Sequence, residues 1–269
     1  MRVLTWNCRR ATRQSPVWEH LREWSPDIAL LQEVSSFPAN LKSEYDVRFE
    51  KATGKGGTPQ RFGSALLVRG EIGAELPLRS RHDWASTELA RFAGNVFGNE
   101  VRLRSGLRLR VVCVYSPAWP VDRDRLEGVD TSQVKLTLNP DVWVADLLWS
   151  ALKAMAPSNG SEVIVGGDFN LSETFDAWRG GPRGNREYLD RMADLGLTEC
   201  LREHNGALTP TFKNPRGSGV LHQIDHLFVT SDLASRLITC ATGDAGQVFG
   251  GSLSDHLPVV ADFDVPTAV

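Results

Sequence analysis

Short apolar segments that end in polar residues recur along this chain, and they favour a fold whose buried strands end at a shared edge. The clearest segment is VIVGGDFN, at residues 163–170, which opens with a β-branched run over residues 163–165. Such a run is typical of a strand buried on both faces. Two glycines, Asp168 and Asn170 follow it. These residue types also dominate turns for backbone reasons alone. This segment by itself therefore does not distinguish a functional strand end from an ordinary turn.

Turn and cap signals divide the remaining sequence into strands and a few amphipathic helices. Helices are predicted over residues 15–24, 139–155 and 185–196, with Asn139 capping the second. Apolar runs predict strands over residues 3–7, 27–33, 62–70, 107–117, 208–213, 223–230, 236–242 and 256–263. Strands outnumber helices, which indicates an α/β protein with two packed sheets and helices on the outside.

Composition narrows the class of protein only slightly. The chain has 41% hydrophobic and 23% charged residues, as an ordinary globular protein does. No apolar run approaches the roughly 18 residues of a membrane span, and the opening MRVLTWN has the pattern of a strand, which leaves no room for a signal peptide. The four cysteines form no CxxC pair, which favours a reducing cytoplasm and no structural zinc. We therefore expect a cytoplasmic monomer with one domain over residues 1–269 and no membrane partner.

Charge alone does not identify a partner. The net charge is −3 and the pI is near 6.1, which neither indicates nor excludes a nucleic acid. The arginines of residues 101–110 alternate, as on the solvated face of a hairpin. The Gly-rich segment 178–187 has no such period, so Arg179, Arg183 and Arg186 are better candidates for binding phosphate.

Unexpected polar residues stand at the ends of six segments. Each one alone is ordinary, because an acid after a strand is usually solvated and an Asp-His pair usually caps a turn. A sheet, however, brings its strand ends to a common edge, and four carboxylates gathered there would repel one another by several kcal/mol without a cation. The residues are Asn7, Glu33, Tyr115, Asp168 with Asn170, Asp225, and Asp255 with His256.

In this order, the set resembles the endonuclease/exonuclease/phosphatase superfamily, which includes exonuclease III, abasic-site endonucleases, deoxyribonuclease I, neutral sphingomyelinases and inositol polyphosphate 5-phosphatases. The motifs WN, LQE, GDFN, IDH and SDHLP carry the resemblance from residue 6 to residue 258. The resemblance implies a four-layered α/β/β/α sandwich, in which two mixed sheets pack together under outer helices, with the site at one edge.

The donor atoms of this set suit a hard cation. Carboxylate and amide oxygens without cysteine or paired histidine ligands favour Mg²⁺, or Mn²⁺ as a substitute, over zinc. Glu33 is the first choice of metal ligand, with Asn7 and Asp255 beside it.

The resemblance also implies catalytic roles. The acid of the GDFN motif activates the attacking water, which makes Asp168 the expected general base. Asn170 would orient that water or donate to the developing charge. His256, held in its charged form by Asp225, would bind a phosphate oxygen, and Tyr115 would donate to another.

Two positions depart from the exonuclease III branch of the family. Arg9 stands where a second acid usually follows the first Asn, and Ala118 stands where an Asn usually binds phosphate. The next residue, Trp119, could stack on a base or simply anchor its loop.

Three functions are consistent with these residues. The first is a DNA or RNA nuclease, favoured by the tyrosine of VYSP, by Arg-bearing residues 179–191, and by Lys51, Lys55 and Arg61 in a Gly-rich loop. The second is a hydrolase of a small phosphoester or phospholipid head group, which suits the mildly acidic pI. The third is an inactive binding module, although such a copy would be expected to have lost Asp168 or His256.

Overall fold

The computed structural model describes residues 1–157, 162–177, 183–214, 217 and 219–265, without the side chains of Val220 and Leu221. The helices within these residues are α1 (Val17–Trp24), α2 (Leu41–Glu44), α3 (Asp83–Ala90), α4 (Val144–Met155), α5 (Asn185–Asp194), α6 (Cys200–Asn205) and α7 (Ser231–Ala234). The strands are β1 (Arg2–Ala11), β2 (Ile28–Val34), β3 (Asp46–Thr53), β4 (Pro59–Val68), β5 (Gly70–Glu75), β6 (Val96–Leu103), β7 (Arg108–Tyr115), β8 (Val163–Asp168), β9 (Leu197–Glu199), β10 (Phe212–Lys213), β11 (Val220–His222), β12 (Asp225–Thr230), β13 (Leu237–Thr242) and β14 (Val259–Phe263).

The strands form two mixed six-stranded sheets and a short hairpin. The first sheet has the order β13-β14-β1-β2-β4-β3, the second has the order β5-β6-β7-β8-β12-β9, and β10 pairs with β11. Strand β1 runs parallel to β2, and β7 runs parallel to β8, whereas the other pairs are antiparallel. Polar residues at the ends of β1, β2, β7 and β8 therefore come to the same end of the two sheets.

The two sheets pack face to face. Leu30 and Leu66 of the first sheet share a buried cluster with Val111 and Ile164 of the second. Helix α1 covers the outer face of the first sheet, and α3, α4 and α5 pack on the outer face of the second. The predicted α/β sandwich of four layers is confirmed.

The two glycines of VIVGGDFN let the neighbouring strands β7 and β12 pack closely against β8. A Cβ atom on Gly167 would lie 1.8 Å from the carbonyl oxygen of Val114 in β7. A Cβ atom on Gly166 would lie 2.9 Å from a methyl carbon of Leu227 in β12. Because no side chain fits at either position, both neighbours can approach β8 closely enough to bring their ends beside Asp168.

The prediction for the second helix was wrong at its start. Helix α4 begins at Val144, five residues after Asn139, whose side chain instead accepts a hydrogen bond from Asp141 N at 3.1 Å. The helix is capped by Asp146, whose Oδ2 accepts from Trp143 N at 2.8 Å. The hairpin predicted from residues 101–110 is confirmed by the pairing of β6 with β7. No helix within the described residues has the length and apolar character that crossing a membrane requires.

Candidate active site

The ends of three neighbouring strands build the centre of the site. Asp168, the last residue of β8, lies opposite Tyr115 of β7 and opposite Asp225 of β12. Asp168 is 1% exposed and Asp225 is fully buried. The polar residue types that follow these apolar strands are therefore brought together by strand register, not by a turn.

Asp168 is held by hydrogen bonds to both of its carboxylate oxygens. Its Oδ1 accepts from Asn170 N at 2.9 Å. Its Oδ2 accepts from Asn7 Nδ2 at 3.0 Å and from Asn170 Nδ2 at 3.2 Å. Asn170 is fixed in turn by a bond from Nδ2 to the carbonyl oxygen of Ser116 at 2.8 Å. These contacts fix the orientation of the carboxylate within a buried site.

Asp225 and His256 form a second buried unit. Nδ1 of His256 lies 2.9 Å from Oδ2 and 3.1 Å from Oδ1 of Asp225. Thr211 Oγ1 donates to Asp225 Oδ2 at 2.6 Å. With Nδ1 occupied, Nε2 of His256 is the ring nitrogen that can meet a ligand, and it makes no hydrogen bond to any described residue. One ligand atom from each of Asp168, Asp225 and His256 lies within 4.8 Å of the others.

Glu33 reaches the same cluster through Tyr115. The phenol of Tyr115 donates to Glu33 Oε1 at 3.2 Å. The first strand also contributes through Asn7, which lies opposite Gln32, the neighbour of Glu33, in the β1–β2 register. Ser254 donates to Asn7 O at 2.6 Å and accepts from His256 N at 3.1 Å, which ties β1 to the SDHLP segment. All eight residues predicted from the strand ends therefore lie in one region.

Two arginines that the sequence did not assign to the site border its acids. Arg9 Nε is 4.0 Å from Asp255 Oδ1, and Arg10 Nε is 3.9 Å from Glu33 Oε2. The backbone N–H of Arg9 donates to Asn7 Oδ1 at 3.0 Å. Arg9 and Arg10 have φ angles of 46° and 60°, and the register of β1 with β2 shifts between Asn7 and Ala11. The irregular end of β1 thus places positive charge beside the carboxylates.

Left-handed backbone is concentrated at this end of the sheets. Of the seven non-glycine residues with positive φ among those described, four border the site: Arg9, Arg10, Glu33 and Asn170. Each such conformation costs about 1 kcal/mol or more and persists where the surroundings impose it. Strain at these four positions is the pattern expected of a functional site.

The surroundings raise the pKa values of both Asp168 and His256. Burial raises the pKa of Asp168 to about 7, against the lowering effect of His256. For His256, burial lowers the pKa, but Asp225 and Asp168 outweigh it and raise the pKa to about 10. The imidazole is therefore charged at neutral pH. Burial, with Glu33 and Asp168, raises the pKa of Tyr115 well above its usual value, which keeps the phenol protonated.

The donor set fits a divalent cation. Glu33 and Asp255 keep 20% and 25% of their side chains exposed, so they face the cleft. Their arginine neighbours stay about 4 Å away, which leaves carboxylate lone pairs available. Glu33, Asp255 and the amide of Asn7 are all hard donors, the kind that Mg²⁺ prefers.

The four residues predicted to bind substrate lie in different places. Arg179 lies outside the described residues. Arg183 lines a cavity of about 270 Å³ between Asn170 and Asp146, which we name the Asp146 cavity. Arg186 is paired with Glu173 at 3.2 Å and with Asp190 at 2.9 Å. Trp119 is half-buried on the wall of a separate cavity of about 440 Å³, which Lys55 also lines.

Sequence patterns did not predict every residue that contributes to the site. Thr211 precedes a two-residue strand and carries no periodic signal, yet it holds Asp225. Arg9 stands out in the sequence only as a departure from the family pattern, and Arg10 follows it at the irregular end of β1. A register shift in β1 is the feature that places both arginines, and sequence alone gives no sign of it.

Solved structures share this fold. An AP endonuclease from Archaeoglobus fulgidus has a TM-score of 0.70 and 20% identity, over 98% of this chain and 100% of its own. A 3′ phosphatase from Neisseria, solved with a product DNA hairpin, has a TM-score of 0.69 and 21% identity over the same shares. A 3′-5′ exonuclease from Neisseria meningitidis has a TM-score of 0.68 and 20% identity, again over 98% and 100%. At this identity, the likeness establishes the fold.

Sequence comparison establishes the family. No curated protein matches the chain significantly. The profile of the Endonuclease/Exonuclease/phosphatase family matches residues 4–256, which include every residue of the cluster around Asp168. Since this match covers most of the chain, the protein belongs to the Endonuclease/Exonuclease/phosphatase family.

Proposed function

We propose that this protein is a divalent-metal-dependent phosphodiesterase that hydrolyses DNA or RNA, as an endo- or exonuclease. The observation that carries the proposal is the buried unit of Asp168, Asp225 and His256, whose ligand atoms lie within 4.8 Å of one another. The DNA bound to the Neisseria 3′ phosphatase supports a nucleic acid as the substrate. Family membership supports the hydrolysis of a phosphoester.

Asp168 acts in this mechanism as the general base. Its pKa of about 7 suits a group that must take a proton from water near neutral pH. Asn7 and Asn170 donate to its carboxylate and hold it in one orientation. The proton of the attacking water passes to Asp168 as the oxygen approaches phosphorus.

His256 and Tyr115 stabilise the charge that develops on the phosphoryl oxygens. Asp225 fixes Nδ1 of His256, so the charged ring presents Nε2 as a donor. Tyr115 stays protonated and therefore acts as a hydrogen-bond donor and not as an acid. Glu33, Asn7 and Asp255 would hold Mg²⁺ or Mn²⁺. A metal bound there supplies Lewis-acid polarisation of a phosphoryl oxygen and stabilises the leaving oxygen.

A substrate panel tests the proposal. The protein is incubated with Mg²⁺, with Mn²⁺ or with EDTA, together with end-labelled single-stranded, duplex and abasic DNA, RNA, or an inositol phosphate. We expect cleavage of a nucleic acid with either metal and none with EDTA. Turnover of the inositol phosphate alone would favour the small-phosphoester alternative, and metal-independent cleavage would contradict the mechanism.

Arg183 offers a test of phosphate contact with a matched control. Its guanidinium makes no hydrogen bond or ion pair with any described residue, whereas Arg186 in the same segment pairs with Glu173 and Asp190. We expect Arg183→Ala to raise KM for nucleic acid by roughly threefold to tenfold. The same variant should reduce the slope of log(kcat/KM) against log[salt] by about one, as the loss of one phosphate contact does.

The control for this measurement is Arg186→Ala, which should leave both KM and the salt slope near their wild-type values. Equal effects of the two substitutions would contradict a phosphate contact at Arg183.

A further inference from the structure

A second cavity lies beside the site, along the segment that follows β7. Trp119, Pro120 and Val121 of that segment line it, and we name it the Trp119 cavity. Its volume is about 440 Å³, within the range of about 300–1,000 Å³ for small-molecule sites. The space is therefore large enough to hold a planar ring of the size of a nucleotide base.

Backbone hydrogen bonds connect the Trp119 cavity to the catalytic cluster. Thr53, on the wall of the cavity, donates its backbone N–H to Asn95 Oδ1 at 2.6 Å. The carbonyl oxygen of Asn95 accepts from Tyr115 N at 2.8 Å, and Ser116 N donates to Asp168 O at 2.8 Å. A ligand in the cavity is therefore held beside the strand end that carries Tyr115.

The ring of Trp119 is not tied to the protein in the way that other tryptophans are. The indole N–H groups of Trp6 and Trp18 donate to His256 O at 2.8 Å and to Thr12 O at 2.7 Å. Trp119 makes no hydrogen bond, ring–ring contact or cation–π contact within the part of the chain that the structure describes, and it is only partly buried. Polar and aromatic contacts therefore do not give it an anchoring role, and its ring offers an accessible flat surface to the cavity.

Accessible positive charge lines the same space. Lys55 lies in the Gly-rich loop between β3 and β4, is exposed, and makes no ion pair or hydrogen bond with any residue that the structure describes. Arg91 and Arg125 share the buried Glu88, at 3.2 Å and 2.8 Å, and keep 52% and 27% of their side chains exposed. One carboxylate cannot satisfy the five N–H donors of each guanidinium, so donors remain for phosphate oxygens.

The acids that line the cavity lie away from its most positive wall. Asp141 is paired with Arg123 at 2.5 Å, and Asp122 accepts from Asp124 N at 3.2 Å. These residues belong to segments 119–125 and 139–142.

The loop of Lys55 and the turn after Arg91, by contrast, form one wall. A Cβ atom on Gly94 would lie only 1.7 Å from the carbonyl oxygen of Lys51, so the two segments are in close contact. A phosphate group is therefore expected on the wall of Lys55 and Arg91.

A flat aromatic surface beside cations suits a nucleotide. The base stacks on the ring, and the cations bind the phosphate. Stacking on a side chain requires a base that is free of its own partner strand, and it does not distinguish one base from another because every base has an aromatic face. The cavity therefore suits an unpaired nucleotide with any base.

We propose that the Trp119 cavity binds one unpaired nucleotide of the substrate, next to the strand end that carries Tyr115. The base stacks on Trp119, and its phosphate is held by Lys55 and Arg91. This proposal rests on the proposed nuclease function and narrows its substrate to a nucleic acid with a single-stranded segment at the site. Trp119 and the basic Gly-rich loop, which are far apart in the sequence, thus belong to one subsite.

The binding test uses a labelled oligonucleotide of thymidine and a duplex of equal length, measured by fluorescence anisotropy in EDTA so that it does not depend on hydrolysis. Trp119→Ala should weaken binding of the single strand roughly tenfold, the effect of losing one stacked base, and should change the affinity for the duplex by less than about twofold. Trp119→Phe should keep most of the affinity for the single strand, because a phenyl ring still stacks.

The location of binding is read from the indole N–H signal of Trp119 in an NMR titration. The chain has eight tryptophans, so the signal is assigned by its loss in Trp119→Phe. The signal should shift as the single strand is added. A signal that does not move, or equal weakening of both ligands by Trp119→Ala, would overturn the subsite even if the protein proved to be a nuclease.

The phosphate contact is tested with two lysines at opposite ends of β3. Lys42 is exposed and precedes the strand, whereas Lys55 follows it. Lys55→Gln should weaken the single strand roughly threefold and reduce the slope of log Kd against log[salt] by about 0.7, as the loss of one contact with a single strand does. Lys42→Gln should leave both quantities near their wild-type values.

Equal effects of the two lysine substitutions would contradict a phosphate at Lys55. Binding that depends on Trp119, without hydrolysis of any nucleic acid, would support the subsite and contradict the proposed function.

Discussion

Asp168→Asn is expected to lower kcat/KM by about 10²–10⁴-fold at pH 8, the range that a general base contributes. The amide cannot take the proton of the attacking water. Its NH₂ group would also face the donors of Asn7 and Asn170, both of which now point at Oδ2. The measurement is steady-state cleavage of whichever nucleic acid the substrate panel identifies, with saturating Mg²⁺.

A remote acid of the same type controls for general effects of charge. Asp262, in β14, pairs with Arg2 at 2.8 Å at the start of β1, away from the site. Asp262→Asn should change kcat/KM by less than about twofold. A fully active Asp168→Asn would remove Asp168 from the role of base and leave the proposed mechanism without one.

Sequence predicted the core of this site because the chemistry coincides with strand ends. Val163–Val165 indicated a buried strand, and Asp168 after it had to reach the edge where that strand ends. The same reasoning applied to Glu33 and Tyr115, whose side chains are in contact in the structure. An apolar run shows where a strand ends. The polar residues that follow several such runs could therefore be assigned to one edge of the fold.

Other parts of the site depend on features that local sequence does not encode. Arg9 and Arg10 approach the acids because the register of β1 shifts after Asn7. Such a shift follows from the packing of both sheets and not from the propensity of the residues involved. The fold therefore shows the positive charge of Arg9 and Arg10 beside these acids, and the sequence alone does not.

The start of α4, beside the Asp146 cavity, is another feature that local sequence does not predict. Asn139 and Pro140 carry the usual signals of a helix start, but residues 139–142 form a bend, and Val142 O accepts a hydrogen bond from Val121 N at 2.8 Å. The N-cap is Trp143, whose backbone N–H donates to Asp146, the third residue of the helix. An acid inside an amphipathic pattern gives no sign that its residue lines a cavity.

Asp225→Asn is expected to lower kcat/KM by roughly 10²-fold relative to the wild type at pH 8, and this deficit, compared with the wild type at the same pH, should shrink as the pH falls toward 6. Asp225 acts through His256, as a positioning residue that also keeps the ring charged. In the wild type, burial lowers the pKa of His256, but Asp225 and Asp168 raise it to about 10, so the imidazolium persists at pH 8. Without the charge of Asp225, burial dominates and the ring becomes neutral at pH 8.

The same substitution should alter stability, with a sign that follows from the raised pKa of His256. A histidine whose folded-state pKa lies above its unfolded value near 6.5 stabilises the protein fully below that value, and this contribution is lost as the pH rises toward about 10. In EDTA, the free energy of unfolding of the wild type should exceed that of Asp225→Asn by on the order of 3 kcal/mol at pH 6. The difference should shrink as the pH approaches 10.

A second acid–histidine contact provides a control. It distinguishes the effect of the charge on His256 from the general cost of disrupting an acid–histidine contact. Glu199 Oε1 lies 3.8 Å from His226 Nδ1, and His226 follows Asp225 in β12, where successive side chains point to opposite faces of the sheet. Glu199→Gln is expected to reduce stability but to leave the pH dependence of kcat/KM as in the wild type. If Asp225→Asn lost activity equally at pH 6 and pH 8, the charge on His256 would not be the property that Asp225 maintains, and its contribution would be to shape alone.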